Sequence, residues 1–129
     1  MMKPHRILVV DDERDVEPLF RQKFRREIRE GSLEFYFSFS GDEAIGFIHT
    51  HEGDNAVLVL SDINMPGMSG LELLRQIKAE YPGLRVVMIT AYGDDQNSNL
   101  AKSLGADGFL TKPVDFELLR QELKTITGE

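Results

Sequence analysis

Two short apolar runs constrain this chain more than any other feature: Ile7-Leu8-Val9-Val10 and Val57-Leu58-Val59-Leu60. Runs of β-branched and aliphatic residues this short read as strands buried on both faces. The first ends on Asp11 and Asp12; the second passes through Ser61 to Asp62 and breaks at Pro66-Gly67. Strands of this kind belong to a parallel sheet covered on each side by helices, and such sheets take ligands beyond the carboxyl ends of their strands. Three acids delivered to one sheet edge repel one another unless a cation sits among them.

The rest of the chain repeats one unit, strand then helix, five times. Arg6–Val10 is the first strand. A helix follows in which Val16, Leu19, Phe20, Phe24 and Ile28 recur at helical spacing. Pro18 must lie in its first turn, with Asp15 as N-cap and Gly31 as terminator. Leu33–Phe39 alternates apolar and polar residues, as an edge strand with unequal faces does, and its phenylalanine row reads as core packing. Ser40 with Glu43 forms a capping box for a second helix, whose inner face carries Ala44, Ile45 and Ile48. His49 and His51 point in different directions and make a poor metal pair.

Ala56–Ser61 is the third strand. Ser69 with Glu72 is a second capping box, opening a helix through Leu73, Leu74 and Ile77 that Pro82-Gly83 ends. Arg85–Thr90 is the fourth strand. Asp94–Leu104 is a weak helix, because Asn97, Ser98 and Asn99 are poor formers and only Leu100, Ala101 and Leu104 offer an apolar face. Gly105 caps it. Gly108–Thr111 is the last strand, and Asp115 caps a final helix with Val114 and Leu119 as its staple and Phe116, Leu119, Leu123 and Ile126 inward. The expectation is an α/β, doubly wound, five-stranded parallel sheet with right-handed crossovers, one domain over residues 1–129.

Composition excludes several classes. With 41% hydrophobic and 29% charged residues, the 129-residue chain has the profile of an ordinary globular domain. It has no cysteine, hence no disulfide or thiolate metal site. The opening residues lack an apolar signal core, and no apolar run approaches the roughly 20 residues of a membrane span. Fifteen basic against 22 acidic residues give a net charge of −7, which argues against a nucleic-acid surface. The cluster Arg21, Lys23, Arg25, Arg26 and Arg29, interrupted by Glu27, reads as a solvated helix face. A cytoplasmic location is expected.

The working edge collects Asp11, Asp12, Asp62, Thr90 and Lys112. Carboxylates with room for water and phosphate oxygens suit Mg²⁺. A metal, a lysine and a hydroxyl around one free carboxylate make a receptor for a phosphoryl group, since phosphoryl transfer needs mostly positioning and charge neutralisation. Asp62 is then the acceptor, forming an acyl phosphate. Singly, each of these residues has an ordinary structural role open to it. Their joint position and complementary charge favour the functional reading.

The chain resembles the receiver domains of two-component response regulators over nearly its full length. The resemblance rests on Val9-Val10-Asp11-Asp12-Glu13, on Ser61-Asp62-Ile63-Asn64-Met65-Pro66-Gly67-Met68-Ser69-Gly70, on Ile89-Thr90-Ala91 and on Gly105-Ala106-Asp107-Gly108-Phe109-Leu110-Thr111-Lys112-Pro113. It implies a flavodoxin-like fold with strand order 2-1-3-4-5 and phosphorylation of Asp62 from a phosphohistidine on a histidine kinase or histidine phosphotransfer protein. Asp11, Asp12, Asp62 and the backbone carbonyl of Asn64 would hold Mg²⁺. Thr90, Ala91 and Lys112 would hold the phosphoryl group, Thr90 and Phe109 would act as the switch, and the Lys112–Pro113 bond would be cis. The face built from the fourth helix, fifth strand and fifth helix would change on phosphorylation. Tyr92, two residues past Thr90, is expected to shield the acyl phosphate from water. Gly108, where DNA-binding members often carry an acid, makes their usual dimer contacts doubtful, although a phosphorylation-dependent dimer stays compatible with the resemblance.

Three rival readings compete. A dehalogenase-type phosphatase needs a second aspartate two residues past its nucleophile, and Asn64 stands there. A flavin carrier needs a first loop that cradles phosphate, which Asp11-Asp12-Glu13 would repel. A degenerate receiver acting only as a docking module would not need five competent site residues. The expected role is a phosphoacceptor that assists its own phosphorylation and hydrolysis, not a turnover enzyme. With no effector segment visible by Glu129, a free-standing regulator or a piece of a larger protein is expected.

Overall fold

The computed structural model describes residues 4–51, 56–91 and 93–127. Five strands, β1 (His5–Val10), β2 (Leu33–Ser38), β3 (Ala56–Asp62), β4 (Arg85–Thr90) and β5 (Gly108–Thr111), form one parallel sheet in the order β2-β1-β3-β4-β5. Six helices cover it: α1 (Val16–Lys23), α2 (Arg25–Glu30), α3 (Gly41–Thr50), α4 (Gly70–Glu80), α5 (Asp95–Ser103) and α6 (Phe116–Thr127). This is the doubly wound sheet with the expected strand order.

Alternation along the central strands builds two separate cores. Leu8 and Val10 of β1, Val59 of β3, and Val86 and Met88 of β4 point to one face, where Ala44, Ile48, Leu73, Leu74, Ile77 and Ala101 of α3, α4 and α5 meet them. Ile7, Val9, Leu58, Leu60, Val87 and Ile89 point to the other, against Phe20, Phe24, Phe35, Leu119 and Leu123. Because both faces are covered, β1 and β4 show no polar side between their opening residues and their carboxyl ends. The phenylalanine row packs as core: Phe20 touches Phe35, Phe37 and Phe116 at centroid separations of 5.9, 6.2 and 5.2 Å.

Several local expectations are corrected. The first helix is two helices, broken at Phe24 (φ −109°, ψ 24°). The Phe24 ring is fully buried, and the Lys23 carbonyl is taken at 2.9 Å by Arg120 of α6, so the helical ladder has lost an acceptor at the break. Asp15 makes no side-chain cap. Leu19 and Leu100, expected inside, are 42% and 46% exposed; helical spacing marks a stripe wider than the face the sheet covers. β2 ends one residue early, at Ser38, and β3 runs one further, to Asp62.

The capping signals behave as chemistry requires. Ser40 and Ser69 accept from the amides of Glu43 and Glu72 at 3.1 and 3.2 Å, and Asp115 accepts from Glu117 and Leu118. Gly31 (φ 76°) ends α2 in the left-handed region, which glycine adopts without strain. His49 binds Glu80 across α3 and α4 at 2.8 Å, while His51 stacks on Phe47, so the two rings go separate ways. Among the described residues no helix is long and apolar enough to cross a membrane.

One ion pair ties α2 and α6 together. Arg120 donates from Nε to Glu27 at 2.6 Å and lies over the Phe24 ring at 5.0 Å. Burial disfavours the Glu27 charge, but the Arg120 hydrogen bond, the backbone amide of Glu27 and the charges of Arg120 and Arg26 together outweigh it and hold the carboxyl below the usual glutamate range. A depressed acid pKa contributes stability above the unfolded-state value and loses it as pH falls through the folded one. Arg120→Ala is therefore expected to cost about 1–3 kcal/mol at neutral pH, because Glu27 is left half-buried and unpaired. The deficit should shrink as pH falls below the usual glutamate range, as urea unfolding across an acid series will measure.

Candidate phosphoacceptor site

The carboxyl ends of β1 and β3 are adjacent, with Val10 opposite Ser61, so Asp11 and Asp62 leave the sheet side by side. The Asp11 amide binds the Ser38 carbonyl at 3.1 Å, which strings its first turn along β2. Its Oδ1 accepts from the Glu13 amide at 2.9 Å, fixing the carboxylate by a local turn. On the other side, the Ile63 amide binds the Ile89 carbonyl at 3.2 Å. Asp62 is therefore held between β1 and β4, at the middle of the edge.

Gly70 completes this support. Its amide binds the Ile63 carbonyl at 2.8 Å and closes the loop after Asp62. A Cβ on Gly70 would stand 2.1 Å from the Asp62 carbonyl oxygen and 2.7 Å from the Ile63 Cα, both backbone atoms. The start of α4 thus rests directly on the backbone that carries Asp62.

Asp11, Asp12 and Asp62 form the one carboxylate group among the described residues able to share an ion, with one oxygen of each within 4.8 Å of the others. Asp11 and Asp62 are buried and Asp12 is exposed. Burial, opposed by the Glu13 amide and reinforced by the Asp62 charge, pushes the Asp11 carboxyl above its ordinary value. The donors are all hard oxygens, and their spread is close to the roughly 4 Å that two oxygens on one Mg²⁺ can span. The set fits such an ion.

Lys112 stands opposite. Its Nζ donates to Asp62 Oδ2 at 2.7 Å, while Asp62 Oδ1 accepts from the Asn64 amide at 3.3 Å. Burial works against the Lys112 charge, but the Asp62 hydrogen bond and the charges of Asp62, Asp11 and Glu13 hold its pKa above the usual lysine value. The Lys112–Pro113 peptide bond is cis, and the Lys112 amide binds the Thr90 carbonyl at 2.8 Å, which keeps the β4 and β5 ends together. The Thr90 hydroxyl is buried and donates to the Leu110 carbonyl at 3.4 Å, longer than a normal O–H···O bond. Ala91 is exposed, and Phe109 is half-buried against the α3–α5 core. Tyr92 lies outside the described residues.

With this geometry in place, the comparisons with known proteins converge. Residues 7–124 match the response regulator receiver domain family. The chain belongs to that family. The receiver is 31% identical over 123 residues to the sporulation initiation phosphotransferase F of Bacillus subtilis, covering 95% of this chain and 94% of that one. It superposes on the receiver domain of NtrX from Brucella abortus with a TM-score of 0.79 at 33% identity, over 93% and 96% of the two chains. A receiver domain protein from Clostridium thermocellum gives 0.83 at 29% identity, over 95% and 93%. The receiver is thus a domain of two-component signalling, and its aspartate cluster fits phosphorylation.

Two contributors to the site were not identified as such from sequence. Glu13 supplies both the amide that fixes Asp11 and a charge acting on Lys112. Gly70 has no role of its own in the sequence reading, yet a glycine in the first turn after a serine cap, where propensity disfavours it, is itself a sign of close backbone approach. Gly70→Ala is expected to destabilise the receiver by about 3 kcal/mol, because backbone must move to admit the methyl group. Gly46→Ala, with open space at its Cβ, should instead be neutral or stabilising by up to about 1 kcal/mol. Urea unfolding of the two variants compares them directly.

Proposed function

We propose that residues 1–129 form one phosphoacceptor switch, in which Asp62 takes a phosphoryl group from a phosphohistidine on a histidine kinase or phosphotransfer protein. The observation that carries this reading is the arrangement around one carboxylate: Asp62 has Lys112 at 2.7 Å and two further acids close enough to share an ion with it. A purely structural salt bridge has no use for the extra acids, which only raise its electrostatic cost.

Asp11, Asp12, Asp62 and the Asn64 carbonyl would hold Mg²⁺. When bound, the ion neutralises charge shared between the acceptor and the phosphoryl oxygens. The side chains supply the rest. An Asp62 oxygen attacks phosphorus, forming the acyl phosphate as the bond to the histidine nitrogen breaks. Lys112, with three donors on its ammonium, turns from the carboxylate to the new phosphoryl oxygens. Ala91, directly after Thr90 at the end of β4, would join them in holding the phosphoryl group. The Thr90 hydroxyl loses little in leaving the Leu110 carbonyl, since that bond is long, and can donate to the phosphoryl group instead.

Movement of Thr90 vacates space beside β4, and Phe109, only half-buried at rest, can turn into it. This biases a pre-existing equilibrium of α5, β5 and α6, the face offered to an output partner or to a second phosphorylated copy. Helix α5 suits the part: its helix formers are poor and Leu100 is exposed. Phenylalanine has no hydroxyl to anchor it inward, so its ring is expected to be less sharply two-state than a tyrosine. The protein acts in the cytoplasm through protein contacts, without direct nucleic-acid or membrane binding, and turns over phosphate only by hydrolysing its own acyl phosphate.

Incubation with acetyl phosphate and Mg²⁺ is expected to put one phosphoryl group on each chain. Asp62→Asn or excess chelator should abolish the label, and Lys112→Ala should slow its uptake about 10²-fold or more. Undiminished labelling of Asp62→Asn would refute the proposal.

A further inference from the structure

The connections leaving the carboxyl edge of the sheet are rich in acids and poor in bases. Asp11, Asp12, Glu13, Asp15, Asp62, Asp94 and Asp115 lie in them or at their start, against only Arg14 and Lys112. Lys112 is spent on Asp62. Arg14 is not spent on a carboxylate. Its guanidinium carbon lies 4.4 Å from the centroid of the Phe39 ring, and among the described residues no hydrogen bond or ion pair engages its side chain. An exposed arginine among so many acids would ordinarily fold onto one of them. The ring, a cation–π platform, holds it elsewhere.

The platform's place follows from the strand order. Phe39 comes directly after Ser38, whose carbonyl binds the Asp11 amide. Phe39 and Arg14 therefore stand on the β2 side of the acids, and Lys112 stands on the β5 side. With strands about 4.8 Å apart, β2 lies roughly 10 Å from β3, which carries Asp62. That is a little over one Debye length at physiological salt, about 8 Å. A charge there acts on an approaching anion without touching it.

We propose that Arg14, held on the Phe39 ring, forms a second cationic wall of the phosphoacceptor site and selects donors by the charge of their phosphoryl group. The inference rests on the reading of Asp62 as acceptor. The carboxylates repel any phosphate dianion, and Lys112 is partly neutralised by its own partner. A guanidinium kept apart from the carboxylates lowers the approach barrier, and lowers it more for a doubly than for a singly charged donor. The alternative role is cover for a half-buried ring, as Arg21 gives Phe37 at 5.1 Å; that role has no dependence on donor charge.

Two small donors separate the roles. Acetyl phosphate arrives as a dianion and phosphoramidate as a zwitterion with one net negative charge. In both, an Asp62 oxygen attacks phosphorus; the P–O bond breaks to release acetate, or the P–N bond breaks to release ammonia. In saturating Mg²⁺, Arg14→Gln is expected to lower the second-order rate with acetyl phosphate about three- to tenfold, the scale of one charge acting over this distance through a partly aqueous medium. The phosphoramidate rate should fall by about the square root of that factor, and the salt dependence with acetyl phosphate should flatten. Arg14→Lys should recover most of the loss, and Phe39→Leu should reproduce it in part with the same donor order. Equal losses with both donors, or no loss with either, would overturn the inference while leaving Asp62 as acceptor. A wild-type protein labelled by neither donor would instead overturn the reading of Asp62 itself.

Discussion

Like charge crowded at the end of a parallel sheet is the constraint on which this receiver depends. Two adjacent strands deliver Asp11 and Asp62 to the same edge, and Asp12 follows within reach. Left alone, such a group resists folding: burial first, and the neighbouring Asp62 charge after it, push the Asp11 carboxyl above its ordinary value. Lys112 answers part of the charge by pairing with Asp62. On the proposed reading, the remainder is what would give the edge affinity for a cation and, with the cation, for a phosphate. Function here is a use of residual electrostatic strain that the fold is strong enough to hold.

That strength comes from elsewhere. Two apolar cores, one on each face, bury the apolar runs of the central strands. Arg120 links α6 to α2 and to the break after α1 through Glu27 and the Lys23 carbonyl. Lys78 and the Val86 amide both bind Asp107 Oδ2 at 2.8 Å, pinning the start of β5 to α4 and β4. These ties lie away from the acids, so the edge is positioned by a frame whose stability it does not share. On the proposed reading, the less constrained parts, α5 and the half-buried Phe109, are the ones that would pass on a change at Thr90.

Much of this was legible in the sequence because it follows from short-range rules. Alternating strands and helices with Ser40, Ser69, Asp94 and Asp115 at helix starts led to the element order, and apolar runs without a polar face led to the covered parallel sheet. Carboxylates closing two such runs located the working edge. The strand order came from the family resemblance, since periodicity says nothing about which strands are neighbours. What stayed hidden depended on long-range contacts. The break at Phe24 involves an arginine 96 positions further on, by the difference of the two residue numbers. The exposure of Leu19 and Leu100 depends on how much of each helix the sheet covers. Gly70 became interpretable only once its neighbour was seen to be the backbone at Asp62.

The most direct test of the central claim is thermal unfolding with and without Mg²⁺, for the wild type and for Asp11→Asn, which keeps the oxygen that binds the Glu13 amide. If crowded charge awaits a cation, the metal-free variant will unfold at a higher temperature than the metal-free wild type, and Mg²⁺ will raise the wild-type midpoint more than the variant's. A wild-type midpoint that ignores millimolar Mg²⁺, together with a variant no more stable than its parent, would contradict the account.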